Sequence, residues 1–254
     1  MAFEVLISKK EKYPVIILKD TATGSLAEIY AFGGLLNAFS IPLASGDRNV
    51  IEGFSSVADA EKNITNGFKS AKLSPFVCRL FKGSYAFQGK NYKVTSFYMG
   101  EHAIHGLTYN AVFEITNSVA DNIHAGVQLQ YKYAGTDPGY PFPFTLTVDW
   151  KLETGNHLSV TTTVLNDHTG TIPVIDGWHP YFTLGSAIDD CTLQFNSGLQ
   201  VEFNADLLPT GNTLPDTRFI NGASMNGVAL DNCFLLNPAK EASRCVLQNK
   251  LVQL

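Results

Sequence analysis

Alternation of apolar and polar residues with a period of two constrains this fold more than any other sequence feature. Successive side chains of a β-strand point to opposite faces, so such a run predicts a strand with one buried and one wetter face. The runs place their apolar residues at Val127, Leu129, Tyr131 and Tyr133, at Leu146, Val148, Trp150 and Leu152, and at Leu199, Val201 and Phe203. Residues 158–165 are rich in β-branched side chains, which also favours a strand.

Turn-forming residues separate these runs and complete the prediction of the fold class. The turns are expected at Asp137–Gly139, Thr154–Asn156, Asp167–Gly170 and Thr210–Asn212. Helical periodicity is best developed in one short segment, Ser56–Asn63, and no strand alternates regularly with a long helix. With 254 residues and a hydrophobic fraction of 45%, the chain is predicted to be all-β, a large antiparallel β-sandwich that forms a single domain over residues 1–254.

Composition excludes several classes of protein. No apolar run approaches the ~20 residues that span a bilayer, and the N-terminus shows no secretory signal, so we expect a cytoplasmic protein without membrane contact. The net charge of −5 and the scattered basic residues disfavour nucleic acid as a partner. The four cysteines form no CxxC pair, and dinucleotide-binding, P-loop, GxSxG and HExxH motifs are missing, so the sequence predicts no cofactor and leaves the oligomeric state open.

The segment Asp176–Phe182, with the sequence DGWHPYF, holds the strongest candidate for a reacting group. His179 lies there between glycine and proline and among aromatic rings, and an imidazole with an ordinary pKa of ~6.5 can exchange a proton at neutral pH. We therefore predict that His179 is catalytic and that Trp178 contacts the ligand, against the alternative that His179 is structural. Asp176, three residues earlier, is a candidate to orient the imidazole.

Three further positions are candidates for binding or catalysis. Arg79 is a charge inside an apolar stretch, so its guanidinium needs acceptors such as hydroxyls or a carboxylate. His105 follows His102 by three residues, and these two with His179 leave a zinc site open as an alternative. Asp231 either binds a ligand hydroxyl or caps a turn.

Five motifs follow one another in the order and spacing of a known family. They are Arg79 with Lys82–Gly89, the pair His105–Gly106, Asp137–Pro141 leading to the strand at Leu146, Trp178–Phe182, and Leu230–Phe234. In these motifs the chain resembles the aldose 1-epimerases, also called galactose mutarotases, over roughly residues 20–254. The resemblance implies a galactose mutarotase-like supersandwich that interconverts the α and β anomers of an aldohexose without a cofactor.

The resemblance also implies a role for each matching residue. His179 would be the general acid at the ring oxygen, His105 and Arg79 would hold sugar oxygens near the reacting carbon, and Asp231 would bind a hydroxyl farther round the ring. The partner would be a small-molecule sugar, either free or phosphorylated. A phosphate would require clustered cations, and the lysines near Arg79 in the sequence are Lys69, Lys72 and Lys82.

The general base of the family has no counterpart in this sequence. In aldose 1-epimerases it is a glutamate on a late strand beyond the segment that matches Asp231, and residues 250–254 read as the opening of a strand. We expect that the natural protein continues past Leu254 with its C-terminal strands. The alternative is a member that has lost its base and binds carbohydrate without turning it over. At this length we expect little or no catalysis, and we assign no base.

Overall fold

The computed structural model describes residues 2–236, 243–250 and 252. Its chain divides into two compact units, Met1–Thr183 and Leu184–Leu254. Strands dominate both units and pair antiparallel, which confirms the all-β prediction. The expectation of a single domain over residues 1–254 stays a prediction.

The first unit contains a five-stranded sheet, a four-stranded sheet and several shorter ladders. Its strands are β1 Phe3–Ser8, β2 Val15–Asp20, β3 Leu26–Tyr30, β4 Leu36–Ile41, β5 Arg48–Asn49, β6 Ala71–Leu73, β7 Arg79–Leu80, β8 Ser84–Phe87, β9 Lys90–Lys93, β10 Tyr98–Met99, β11 His102–Ile104, β12 Glu114–Ala120, β13 His124–Tyr133, β14 Phe144–Glu153, β15 His157–Asn166 and β16 Gly177–His179. A helix, α1, spans Val57–Asn63, and a 3-10 turn spans Phe81–Gly83.

The five-stranded sheet follows the chain order β1-β2-β3-β4-β5. In β2 the residues at alternate positions, Ile16, Leu18 and Asp20, are buried, whereas their neighbours are half-exposed. This is the burial expected when one face of a sheet covers a core and the other face is wetter.

The four-stranded sheet, in the order β12-β13-β14-β15, contains the strands that the sequence predicted most clearly. Strands β13 and β14 pair over ten residues each, from His124 opposite Glu153 to Tyr133 opposite Phe144. The predicted apolar face of β14 is buried throughout. One of its residues, Trp150, donates its indole N–H to the carbonyl of Gly34 at 3.0 Å, which joins this sheet to the turn between β3 and β4.

The predicted short helix is confirmed as α1. The Ser56 hydroxyl accepts the backbone N–H of Asp59 at 3.1 Å and so caps the N-terminus. Val57 and Ala60 are buried in an apolar cluster that also contains Phe68. Nowhere in the part of the chain that the structure describes is a helix long and apolar enough to cross a bilayer.

The second unit is built from two three-stranded sheets, in the orders β20-β17-β22 and β19-β18-β21. Its strands are β17 Thr192–Phe195, β18 Leu199–Phe203, β19 Pro209–Pro215, β20 Ala223–Ser224, β21 Phe234–Leu235 and β22 Cys245–Gln248. Three aromatic rings pack together in it: Phe195 lies 5.0 Å from Phe219 and 4.8 Å from Phe234, measured between ring centroids.

One predicted turn, Thr210–Asn212, is wrong, whereas the other three are turns or bends. The segment lies inside β19, where Glu202 of β18 accepts hydrogen bonds from the Thr210 hydroxyl at 2.6 Å and the Asn212 amide at 3.0 Å. The chain reverses earlier, at Asn204, whose side-chain oxygen accepts the N–H of Leu208 at 3.0 Å. The side chain of Asn204, which accepts backbone N–H groups two and four residues further on, therefore supplies the turn that was expected at Gly211.

Of the two strands predicted near the C-terminal end, one is confirmed and the other lies largely outside the described residues. The predicted strand around Val201 is confirmed as β18, although Leu199 on its predicted buried face is 40% exposed. The strand expected to open at residues 250–254 lies largely outside the described residues, since 251, 253 and 254 are not among them.

Candidate active site

His179 is carried by the short ladder between β6 and β16. In this ladder Ala71 lies opposite His179, Lys72 opposite Trp178 and Leu73 opposite Gly177. The backbone N–H of Ser70 donates to the carbonyl of His179 at 2.9 Å, which extends the pairing by one bond. Because side chains alternate along a strand, His179 and Trp178 project from opposite faces of β16.

His105 follows β11 directly and has an unusual backbone conformation. Its φ of 63° lies in the left-handed region, and Gly106 continues there with a φ of 79°. The N–H of His105 donates to the carbonyl of Cys78 at 3.1 Å, and the N–H of Leu107 donates to the carbonyl of Ser74 at 2.7 Å. The loop from Ser74 to Cys78 thus fixes the direction in which the imidazole of His105 points.

The two imidazoles meet in a setting of aromatic rings. The ring centroids of His105 and His179 are 5.0 Å apart, and their planes are inclined by 65°. Phe68 contacts His105 edge-on at 4.6 Å, and Tyr181 lies 5.5 Å from His179. Two groups capable of proton exchange or hydrogen bonding are therefore close enough to contact one small ligand.

Burial keeps His105 uncharged. Its side chain is 9% exposed, and burial, the nearby His179 and the charge of Arg79 together lower the pKa of His105 to about 4. At neutral pH it is a neutral imidazole with one N–H donor and one nitrogen acceptor. Its Nδ1 is buried and has no hydrogen-bond partner among the described residues.

Arg79 belongs to the same neighbourhood as the two imidazoles. Strand β7 places it opposite Ile104 of β11, the residue that precedes His105. The side chain is half-buried, and its Nη2 lies 3.8 Å from the sulfur of Met99. The structure therefore brings together Arg79, His105 and His179, as the sequence predicted, and their chemical roles stay predictions.

Trp178 projects from the other face of β16, and Asp176 directly precedes this strand. The Trp178 ring is half-buried, packs on Trp150 at 5.4 Å and lies 4.5 Å from the ammonium of Lys72. The carboxylate of Asp176 is paired with that same ammonium. The orienting role expected for Asp176 stays a prediction.

Asp231 lies in the second unit, in an irregular, exposed segment that precedes β21. The other four predicted site residues, Arg79, His105, Trp178 and His179, lie in the first unit. Its proposed contact with a sugar hydroxyl stays a prediction.

The described residues do not provide a set of ligands for the zinc site that the sequence left open. His102 is buried, and its Nδ1 accepts the backbone N–H of Lys82 at 3.0 Å. Across residues 2–236, 243–250 and 252, no three His, Cys, Asp or Glu side chains are grouped so that they could hold a metal ion.

One residue of this region was missed as a site residue by the sequence analysis. Lys72 is fully buried, on the strand that pairs with β16. The signal was present, because Lys72 is a charge between Ala71 and Leu73, the same kind of signal that identified Arg79.

The sequence model of a family described as aldose 1-epimerase matches residues 14–253. No curated protein sequence matches this chain.

Solved structures show the same fold at low sequence identity. A galactose 1-epimerase from Lactobacillus acidophilus NCFM superposes with a TM-score of 0.80 and 20% identity, over 97% of this chain and 77% of the other. A GalM/aldose epimerase homologue from C. elegans gives 0.78 and 20%, over 90% and 73%. A galactose mutarotase-like protein from Clostridium acetobutylicum gives 0.78 and 18%, over 97% and 77%. The predicted antiparallel β-sandwich of the galactose mutarotase type is confirmed.

Proposed function

The chain belongs to the aldose 1-epimerase family, and we propose that it binds an aldohexose in its ring form and interconverts the α and β anomers by general acid–base ring opening. The observation that carries this proposal is the pair of imidazoles, His105 and His179, with ring centroids 5.0 Å apart. The proposal does not involve a cofactor.

The reaction needs two proton transfers at the hemiacetal group of the sugar. A base removes the proton of the anomeric hydroxyl, the bond from the anomeric carbon to the ring oxygen breaks, and an acid protonates that ring oxygen. Rotation about the neighbouring carbon–carbon bond presents the other face of the aldehyde, and the reverse transfers close the ring. Each positioned acid or base typically accelerates such a step by ~10²–10⁴-fold.

The charge state of His105 supports His179 as the acid. With a pKa of about 4, the imidazole of His105 is neutral at neutral pH, so it is not an imidazolium that could donate a proton as an acid. It holds a sugar oxygen through a neutral hydrogen bond, and His179 delivers the proton to the ring oxygen. Arg79 supplies a charge-assisted hydrogen bond to a neighbouring oxygen. The ligand contact expected for Trp178 is not part of this proposal, because its ring projects from the face of β16 opposite to His179. The contact expected for Asp231 stays a prediction.

The lysines near the site favour a free sugar over a sugar phosphate. Lys72 is buried against Asp176, and Lys69 is paired with Glu52 at 2.6 Å. Lys82 lies 4.0 Å from Glu101. Each cation already faces a carboxylate, so a phosphate would have to displace an existing partner.

Polarimetry of freshly dissolved α-glucose or α-galactose tests the acid assignment. Because no base is assigned within the 254 residues, we expect little acceleration in plain buffer and an acceleration that grows as acetate is added to serve as the base. The variant His179→Ala should lose this protein-dependent rate by at least ~100-fold. The matched control is His157→Ala, which changes an imidazole that is 66% exposed at the start of β15.

Two results would change the proposal. An acetate-dependent rate that survives in His179→Ala refutes His179 as the acid. Fast turnover without acetate shows that a residue of this chain is the base.

A non-catalytic carbohydrate-binding protein is the second candidate function. Binding alone requires only groups that hold sugar oxygens, which the half-buried Arg79 and the neutral His105 can supply. Sugar binding observed by ligand-detected NMR, weakened in Arg79→Met and accompanied by no His179-dependent rate at any acetate concentration, would establish it. A cytoplasmic location also stays a prediction.

A further inference from the structure

Lys72 is a charged residue in a place where charge is costly. Its side chain is fully buried in the middle of β6. Burial lowers the pKa of its ammonium, and the hydrogen bond to Asp176 acts in the opposite direction. A buried ammonium is tolerated only when it is paired and hydrogen-bonded.

All the described partners of this ammonium lie on β16 or directly before it. The Nζ atom is paired with the carboxylate of Asp176, lies 3.3 Å from the carbonyl oxygen of Gly177 and lies 4.5 Å from the ring centroid of Trp178. Lys72 and Trp178 are directly opposite in the ladder, so the contacts form on one face. The next residue, His179, projects from the other face.

The ladder between β6 and β16 contains three residue pairs, whereas β13 and β14 share ten. The chain beside β16 is also held by backbone bonds, from the N–H of Ile175 to the carbonyl of Pro75 and from the N–H of Glu52 to the carbonyl of Tyr181, both at 2.8 Å. Small shifts or rotations of so short a strand would move the imidazole of His179 relative to that of His105. A misplacement of about 1 Å can reduce a reaction rate by about 100-fold.

We infer that Lys72 is a positioning residue for His179. Its ammonium holds Asp176, Gly177 and Trp178 against β6, and so fixes the angle at which β16 presents His179 to His105. The inference rests on the proposed function for its effect on rate, and on geometry alone for its effect on the two rings.

The alternative is that the ion pair only adds stability. Replacing a buried ion pair by neutral groups of similar size is often neutral or stabilising, whereas removal of one partner is destabilising. The double variant Lys72→Met/Asp176→Asn therefore separates the two explanations, because it removes the pair without leaving a buried charge. The single variant Lys72→Met serves as a second probe, because it leaves only the carboxylate of Asp176, which is 27% exposed and can be hydrated.

The experiment measures stability, sugar affinity, rate and ring geometry in the same variants. For the double variant we expect a melting temperature close to that of the wild type and a sugar dissociation constant within about threefold. The acetate-assisted, His179-dependent rate should fall by about 100-fold. In NMR spectra the cross-relaxation between the His105 and His179 rings should weaken. The control Lys12→Met breaks the exposed pair with Glu61 and should change neither rate nor ring signals.

The outcomes distinguish the two proposals. A double variant with an unchanged rate and unchanged ring cross-relaxation refutes the positioning role of Lys72. A wild-type chain without any His179-dependent rate refutes the proposed function, and the NMR measurement still decides the positioning role. If the double variant does not fold, Lys72→Met must show a loss of rate and of cross-relaxation, or the inference fails.

Discussion

The imidazoles of His105 and His179 meet edge to face, with centroids 5.0 Å apart, although they arrive from different parts of the chain. The segment from Ser70 to Ser74 connects them. Its first residue donates its N–H to the carbonyl of His179, and the carbonyl of its last residue accepts the N–H of Leu107. One short stretch of backbone therefore fixes both rings, and substitutions that disturb it should affect both.

Stability should depend on pH through His105. Its pKa is about 4 in the folded chain and near its ordinary value of about 6.5 in the unfolded chain. Between these values the unfolded state binds more protons, so the free energy of unfolding falls as the pH falls from 6.5 to 4, by up to about 3 kcal/mol. Urea unfolding across this range measures the slope. The variant His105→Asn, which tolerates the left-handed backbone, should show a shallower slope. An equal slope in the wild type and the variant would show that a group other than His105 titrates.

Gly106→Ala should be strongly destabilising. A Cβ atom at this position would lie 2.3 Å from the carbonyl oxygen of Ser74, and the φ of 79° is itself unfavourable for alanine. We expect a loss of more than about 2 kcal/mol in the free energy of unfolding. Gly100→Ala is the matched control, because its φ of 64° is similar and no atom lies within 4 Å of the added Cβ. The control should lose about 1 kcal/mol. Equal losses in the two variants would contradict the close contact with Ser74.

Arg79 should contribute more to sugar affinity than a simple positive charge does. We expect Arg79→Lys and Arg79→Met both to raise the dissociation constant by roughly 10-fold, because a lysine lacks the planar fork of donors. Arg79→Met should also raise the pKa of His105, since the charge of Arg79 contributes to its lowering, whereas Arg79→Lys keeps a positive charge and should change this pKa less. Titration of the His105 ring signals by NMR checks the second effect. A lysine variant with wild-type affinity would assign Arg79 a purely electrostatic role.

A sugar phosphate should gain nothing over the free sugar. The nearby lysines face Asp176, Glu52 and Glu101, and the net charge of the chain is −5. We expect glucose 6-phosphate to bind no more tightly than glucose at low ionic strength, where any electrostatic attraction is largest. Competition between the two ligands in an NMR titration measures this. Tighter binding of the phosphate that weakens with salt would overturn the preference for a free sugar.

Local patterns in the sequence predicted the parts of the fold that depend on local chemistry. Alternation located β13 and β14, and a serine before an apolar pair located α1. The turn at Asn204 is not predicted, because its signal is a side chain that accepts a backbone N–H four residues further on. Gly211 favours a turn at residues 210–212 instead, and that prediction is wrong.

The candidate site was predicted only in part, because some of its contacts depend on which strands pair. Arg79, His105 and His179 were identified by residue type and motif, and the strand pairings place them together. The pairing of Asp176 with Lys72 was not predictable from spacing, since it depends on which strand lies beside β16. Long-range register of this kind is invisible in a single sequence until the sheet order is known.

The left-handed backbone at His105 limits how this site can change. Glycine enters that conformation most readily, and among the other residues asparagine, aspartate and histidine tolerate it best. A β-branched or bulky residue would strain the chain at this point. Besides histidine, aspartate is therefore the residue through which position 105 can readily keep a titrating group. A redesign that needs any other proton carrier should introduce it from a neighbouring strand.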